Sequence, residues 1–308
     1  MVGFETIGNA TVTVFDNFKP IITTDPWVYG NPYFGSWGHK YNIPKQQIEN
    51  IQNSEFVWFS HGHPDHLNPD SLDLVGKSKI LIADHYGDRI INGLKNRNLN
   101  CIKLKSNQWV DLSDNVRIKS FSDWNQDSCL LIEISKKDIL LNLNDGAAKG
   151  WNRTIRNIIK NYQNRFLLKL INWGDADMLN LYDENGKFIT PSNPNTIQVG
   201  SEYSKHMRYW NCNYALPFSS LHTYVRPDSI HMNEFVTPLS KHTSGFDNSV
   251  GELLPAFIQW DTNSQTYKKI KVDENKEILT NISDYGDNWS DQLDKKKFSL
   301  IEKYFNKF

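Results

Sequence analysis

Cysteine is scarce in this 308-residue chain: there are three, Cys101, Cys129 and Cys212. Their number is odd, they stand far apart, and none forms a CxxC or CxH pair, which excludes a cysteine-based metal knuckle and fits a reducing compartment. All three are expected to be packing residues. Also missing is any run near the ~20 apolar residues that cross a bilayer, and Met1-Val2-Gly3-Phe4-Glu5 is not a basic segment leading into an apolar core. The expectation is a soluble, cytoplasmic protein with no membrane span. An excess of charge of one sign is lacking too. The 34 Lys and Arg balance the 35 Asp and Glu to a net charge of -1, so no global field favours nucleic acid or an anionic membrane. No internal repeat, low-complexity segment or linker is evident.

What is present is 39% hydrophobic content, enough for a substantial core. Ala10 to Phe15 and Pro20 to Thr24 alternate as strands around an Asp16-Asn17 turn and predict a β-hairpin. An aromatic-rich loop follows from Tyr29 to Tyr41, then a short helix beginning at Pro44. Asn68-Pro69-Asp70 and Gly76 bracket a helix over 69–75. Strands at Lys79 to Ala83 and Cys101 to Leu104 flank a helix over 88–96. Three antiparallel strands follow, Val116 to Phe121, Cys129 to Ile134 and Ile139 to Leu143. Trp151, Ile155, Ile158 and Ile159 have helical spacing, and Phe166 to Ile171 and Tyr214 to Phe218 are strands. This is a mixed α/β chain. The pattern weakens beyond about 250, so residues 1–250 are expected to form the catalytic domain and 251–308 an extension packed on it.

Ser60-His61-Gly62-His63-Pro64-Asp65-His66-Leu67 places three imidazoles and a carboxylate directly after the apolar run Phe56-Val57-Trp58-Phe59. A strand ending in a tight loop turns alternate side chains toward one point. His61 and His63 can thus share one cation while Asp65 and His66 reach a second. Imidazole with carboxylate suits zinc, iron or manganese. With only nine histidines in 308 residues, chance clustering is a poor account of the loop.

The pattern His-x-His-x-Asp-His resembles the signature of the metallo-β-lactamase superfamily, which implies a four-layer αββα sandwich with two divalent metal ions (Zn, or Fe/Mn) at one edge. The resemblance implies Asp145, before Gly146, as the carboxylate bridging both metals, and His222 as the last ligand beside Asp65 and His66; His242 competes for that role, and His206 and His231 more weakly. It also implies a histidine after the strand ending at Phe121. This chain has none there: either Asp123 or Asp127 replaces it, which would bias the site away from zinc, or the first metal is held by fewer protein groups. Thr24-Asp25-Pro26-Trp27 resembles an element of the subgroup containing ascorbate-6-phosphate lactonase and N-acylphosphatidylethanolamine phospholipase D. There the Asp supports a ligand histidine, the role implied for Asp25. A closer resemblance, over roughly residues 8–240, is to CMP-N-acetylneuraminate hydroxylase and its small bacterial relatives. It is carried by Thr24 to Trp27, Tyr33-Phe34-Gly35-Ser36-Trp37, Trp58 to Leu67, and Asn142-Leu143-Asn144-Asp145. That family adds a Rieske domain whose paired Cys and His ligands have no counterpart here, so the same chemistry would draw on an external electron donor.

Two reactions follow. In the leading one, the metals activate water, with Asp65 as catalytic carboxylate, on an ester, lactone, amide or phosphoester. In the alternative, a dinuclear iron centre hydroxylates a sugar, nucleotide-sugar or related small molecule. Trp37, His85, Trp173 and Asp177 are the candidates for contacting that substrate.

Overall fold

The computed structural model describes residues 1–124, 126–171, 183, 185, 187, 198–276, 278–286 and 292–307. Its strands are, in chain order, Gly3–Ile7 (β1), Thr11–Asp16 (β2), Lys19–Thr24 (β3), Trp37–His39 (β4), Phe56–Phe59 (β5), Lys79–Ala83 (β6), Cys101–Leu104 (β7), Trp109–Asp111 (β8), Val116–Ser122 (β9), Ser128–Ile134 (β10), Asp138–Asn144 (β11), Asn164–Lys169 (β12), Tyr214–Pro217 (β13), His222–Tyr224 (β14), Glu252–Leu253 (β15), Ile258–Asp261 (β16) and Thr266–Lys269 (β17). An eight-stranded sheet has the order β17-β16-β1-β2-β3-β5-β6-β7, and a seven-stranded sheet the order β15-β13-β12-β11-β10-β9-β8.

Period-two alternation builds the layers. In β11 every residue is buried, but Leu140 packs toward the first sheet while Ile139, Leu141 and Leu143 face the other way, against the helices Asn152–Ile159 and Val199–Trp210. In β5, Trp58 points between the sheets, and Val57 and Phe59 meet the layer holding the helices Lys45–Gln52 and Arg89–Lys95. The result is helix, sheet, sheet, helix. Phe4 and Phe166 close the middle edge to face, 5.0 Å between centroids. Ile132 is fully buried in this layer; Ile132→Val is expected to lower stability by about 0.5–1.5 kcal/mol. A urea midpoint shift at constant m-value checks it.

The structure revises several sequence expectations. The opening hairpin gains β1, paired to β2 and also to β16, so strands beyond residue 250 add to both sheets. The helix over 69–75 is a 3-10 helix, Pro69–Val75. The Tyr29 to Tyr41 loop contains β4, which pairs with β14 in a separate two-stranded ribbon. Strands of three residues are too short for alternation to register. Cys129 and Cys212 are buried in the helix-facing layer, where burial pushes both thiols up. Among the described residues no helix is long and apolar enough to cross a membrane.

Candidate metal centre

β3, β5 and β6 run parallel, as do β11, β12 and β13, so the loops leaving their C-terminal ends gather at one edge of the sandwich. Asp25 follows β3, the His61–His66 loop follows β5, Asp145 follows β11 and Ser219 follows β13. A register shift at Asn142/Asn144 and a left-handed Asn144 (φ 48°) break β11 just before Asp145. Such an irregularity re-aims the next side chain.

Ligand atoms of His61, His63 and Asp145 all lie within 4.8 Å of one another. His61 Nε2 and His63 Nδ1 are 2.8 Å apart. One oxygen of Asp145, Oδ2, stands 3.8 Å from His61 Nε2 and 3.3 Å from His66 Nε2. Asp65 Oδ2 is also 3.3 Å from His66 Nε2, and Asp25 Oδ2 is 3.3 Å from His66 Nδ1. The structure thus brings His61, His63, Asp65, His66, Asp145 and Asp25 together. Converging imidazole nitrogens and carboxylate oxygens, buried without ideal hydrogen-bond geometry at His66, form a donor set that fits cations.

A surrounding polar frame fixes these groups. Tyr33 Oη donates to Asp65 Oδ1 at 2.6 Å, and Asn9 Nδ2 donates to Asp65 Oδ2 at 3.0 Å. Ser219 Oγ donates to Asp145 Oδ1 at 2.8 Å. The Ser60 backbone N–H donates to Asp25 Oδ1 at 2.8 Å, and Asn144 Nδ2 donates to Asp25 Oδ2. Asp25, Tyr33, Asn144 and Ser219 all have left-handed backbone, at φ 41°, 56°, 48° and 62°. Strain of this kind, about 1–3 kcal/mol per residue, persists only where surroundings over-determine it. Sequence reasoning missed Asn9, Ser219 and the Asp65 contact of Tyr33, because each reaches the site from a distant segment.

At the position lacking a histidine, Asp127 Oδ1 lies 3.6 Å from His61 Nδ1. Asp123, the residue first expected there, instead accepts the backbone N–H of Asp127 at 3.1 Å. Burial pushes the Asp127 carboxyl up to about 7, with Asp145 and Asp123 adding to the effect. Burial opposes charge on His66, but Asp65 and Asp145 outweigh it and raise its pKa well above the ordinary value. His61 is lowered to about 3 by burial and by its histidine neighbours.

These directions give a pH prediction. Without metal, Asp127 holds its proton below about pH 7 and His66 is charged, whereas a ligand must be deprotonated. Metal affinity is therefore expected to rise with pH through the neutral range, up to about tenfold per unit for each proton displaced. Calorimetry in buffers of different ionisation enthalpy checks it; loading at pH 6 without proton release would contradict it.

His222, on β14, stacks face to face on Trp37, 3.4 Å between centroids. Its segment is tied to the cluster through Asn9, whose Oδ1 accepts the Leu221 N–H at 2.8 Å while its amide holds Asp65. His242 is buried beside Tyr203, 6.2 Å between centroids, and lines a separate cavity with Pro217 and Leu253. Trp37 and His85, expected to contact substrate, are both buried. Trp173 and Asp177 lie outside the described residues. The cleft over the cluster, about 850 Å³, is lined instead by His61, His63, Asp127 and the helix Arg89–Lys95.

Among solved structures the chain is similar to Igni18, a metallo hydrolase from Ignicoccus hospitalis, with a TM-score of 0.51 at 12% identity over 88% of this chain and 99% of that one. The chain has the metallo-β-lactamase fold. Among curated proteins, this metallo-β-lactamase-fold chain is similar to the cytidine monophosphate-N-acetylneuraminic acid hydroxylases of Asterias rubens, 25% identical over 124 residues, and Danio rerio, 26% identical over 132. The matches cover 37% and 39% of this chain but only 19% and 22% of those proteins. No family model matches the chain.

Proposed function

We propose that the chain is a metal-dependent hydrolase with a dinuclear centre, acting on an ester, lactone, amide or phosphoester. The carrying observation is the Asp145 oxygen set between the imidazoles of His61 and His66, 3.8 Å from one and 3.3 Å from the other. In this reading His61, His63 and Asp145 hold one ion, with Asp127 in the place of the absent histidine. Asp65, His66 and Asp145 hold the second, with His222 completing that side. Cations held there would supply Lewis acidity to a scissile carbonyl or phosphoryl group and lower the pKa of a bound water toward ~7. Asp65 accepts the proton of the attacking water. Tyr33 and Asn9 orient its carboxylate from both oxygens, and Asp25 fixes the ring of His66 through Nδ1.

A second reading, a dinuclear iron oxygenase supplied by an external electron donor, is favoured by Asp127. A carboxylate in place of imidazole biases the site toward iron or manganese. The curated relatives named as hydroxylases support the same reading.

Elemental analysis of protein purified without added metal, paired with an optical spectrum before and after exposure to oxygen, separates the two. About two zinc ions per chain and no spectral response is the expected result. Two irons with an oxygen-sensitive spectrum would transfer the assignment to the oxygenase. His61→Ala that keeps both metal and activity would sink both readings.

A further inference from the structure

We infer that the cleft over the metal centre takes its substrate by an anionic group held between Arg89 and Arg97, so that the substrate is a small molecule bearing a carboxylate or a phosphate. The inference rests on the cluster being the reaction site, as proposed above.

Arg89, Ile90, Gly93, Leu94 and Arg97 line the same cleft as His61, His63 and Asp127. Positions 89, 93 and 97 recur every fourth residue, so they share a face of the helix Arg89–Lys95 and the turn that continues it. At 1.5 Å per residue the two arginines are roughly 12 Å apart along the axis. Between them Gly93 leaves a gap: a Cβ built there would meet nothing within 4 Å.

Both guanidinium groups are free. Among the described residues neither has a hydrogen-bond or ion-pair partner, whereas Arg117, Arg208 and Arg226 are paired to Glu133, Asp247 and Asp228. The acids nearest the start of the helix do not compete. Lys103 holds both Asp84, at 3.0 Å, and Asp88, at 2.7 Å. Two unpaired forked donors on the wall of a cleft match the planar oxygens of carboxylate or phosphate. Ile90 and Leu94 beside them give the uncharged part of the ligand an apolar seat. The anion is thus held on the helix wall, and the rest of the molecule reaches across toward His63.

The test is calorimetric titration of the metal-loaded protein with benzoate, phenyl phosphate and neutral benzyl alcohol. Both anions are expected to bind, more weakly as salt is added, and benzyl alcohol to bind at least tenfold more weakly. Arg89→Ala/Arg97→Ala should cost the anions tenfold or more and abolish the salt dependence at unchanged metal content. Gly93→Leu, which fills the gap without touching a charge, should weaken them as well. The order of benzoate and phenyl phosphate names the anion; either order supports the assignment. Anions held by the metals alone would keep their affinity in the double arginine variant, and that result overturns the inference, as does benzyl alcohol binding equally well. His61→Ala/His63→Ala, with the metals lost, should still bind benzoate. A wild-type protein that holds no metal but binds anions through the arginines would sink the hydrolase reading and leave this one standing.

Discussion

Replacing Asp145 by alanine is expected to strip the protein of both metals and to lower turnover on the order of a thousandfold or more, about 4 kcal/mol of transition-state stabilisation. The reason is geometric. One oxygen serves both halves of the cluster, so its loss removes a ligand from each. In the proposed ligand set His61, His63 and Asp127 remain on one side and Asp65, His66 and His222 on the other, with no carboxylate left to join the two ions. Asp145→Asn keeps a neutral oxygen and the Ser219 hydrogen bond, so it should retain more metal than alanine while losing most activity. Metals per chain, measured by elemental analysis beside turnover, give the answer; a fully loaded, active Asp145→Ala protein would remove Asp145 from the centre. The metal-free variant offers a second reading. Asp145 is one of the three carboxylates that raise His66, with Asp65 and Asp25, so the His66 titration should move down without it.

How much of this centre the sequence disclosed follows from chain distance. His61, His63, Asp65 and His66 are contiguous, and a strand-to-loop transition places their side chains together, so the loop was legible from residue types alone. Asp145 was legible because Asp-Gly follows an apolar run. Asn9, Tyr33 and Ser219 carry no local mark: Tyr33 meets Asp65 across 32 residues and Ser219 meets Asp145 across 74. Those contacts exist only once two sheets bring their strand ends to one edge. The replacement for the missing histidine was narrowed to two carboxylates. In the fold Asp123 accepts the backbone N–H of Asp127 within its own loop, and Asp127 stands beside His61, a difference that residue types alone do not carry. The αββα layers were implied by the resemblance and not by alternation, since β11 is buried along its whole length and β5 nearly so, and β4 and β14, three residues each, left no mark. Trp37, named as a candidate substrate contact, is buried with its face on His222, a contact that no local pattern discloses.

Asp25→Ala is expected to be the most destabilising single change at the site, by about 3–5 kcal/mol. Asp25 is wholly buried, and its carboxylate accepts the Ser60 backbone N–H and the Asn144 amide while facing His66 Nδ1. Alanine would leave two buried donors unsatisfied, each at about 1–3 kcal/mol, and a charged imidazole with one counter-charge fewer. It would also free the Ser60 backbone at the entrance to the metal loop. Asp25→Asn separates stability from metal binding. The amide oxygen can still accept from Ser60, so the stability loss should be smaller, but a neutral group no longer raises the basicity of His66 as a ligand, and metal affinity should fall about 10–100-fold. Urea unfolding of the metal-free proteins and competition titration with a chelator measure the two effects apart. Asparagine with wild-type metal affinity would reduce Asp25 to the turn residue that Asp-Pro alone suggests. Asparagine that holds the fold and loses the metal makes it the residue that sets the ring of His66.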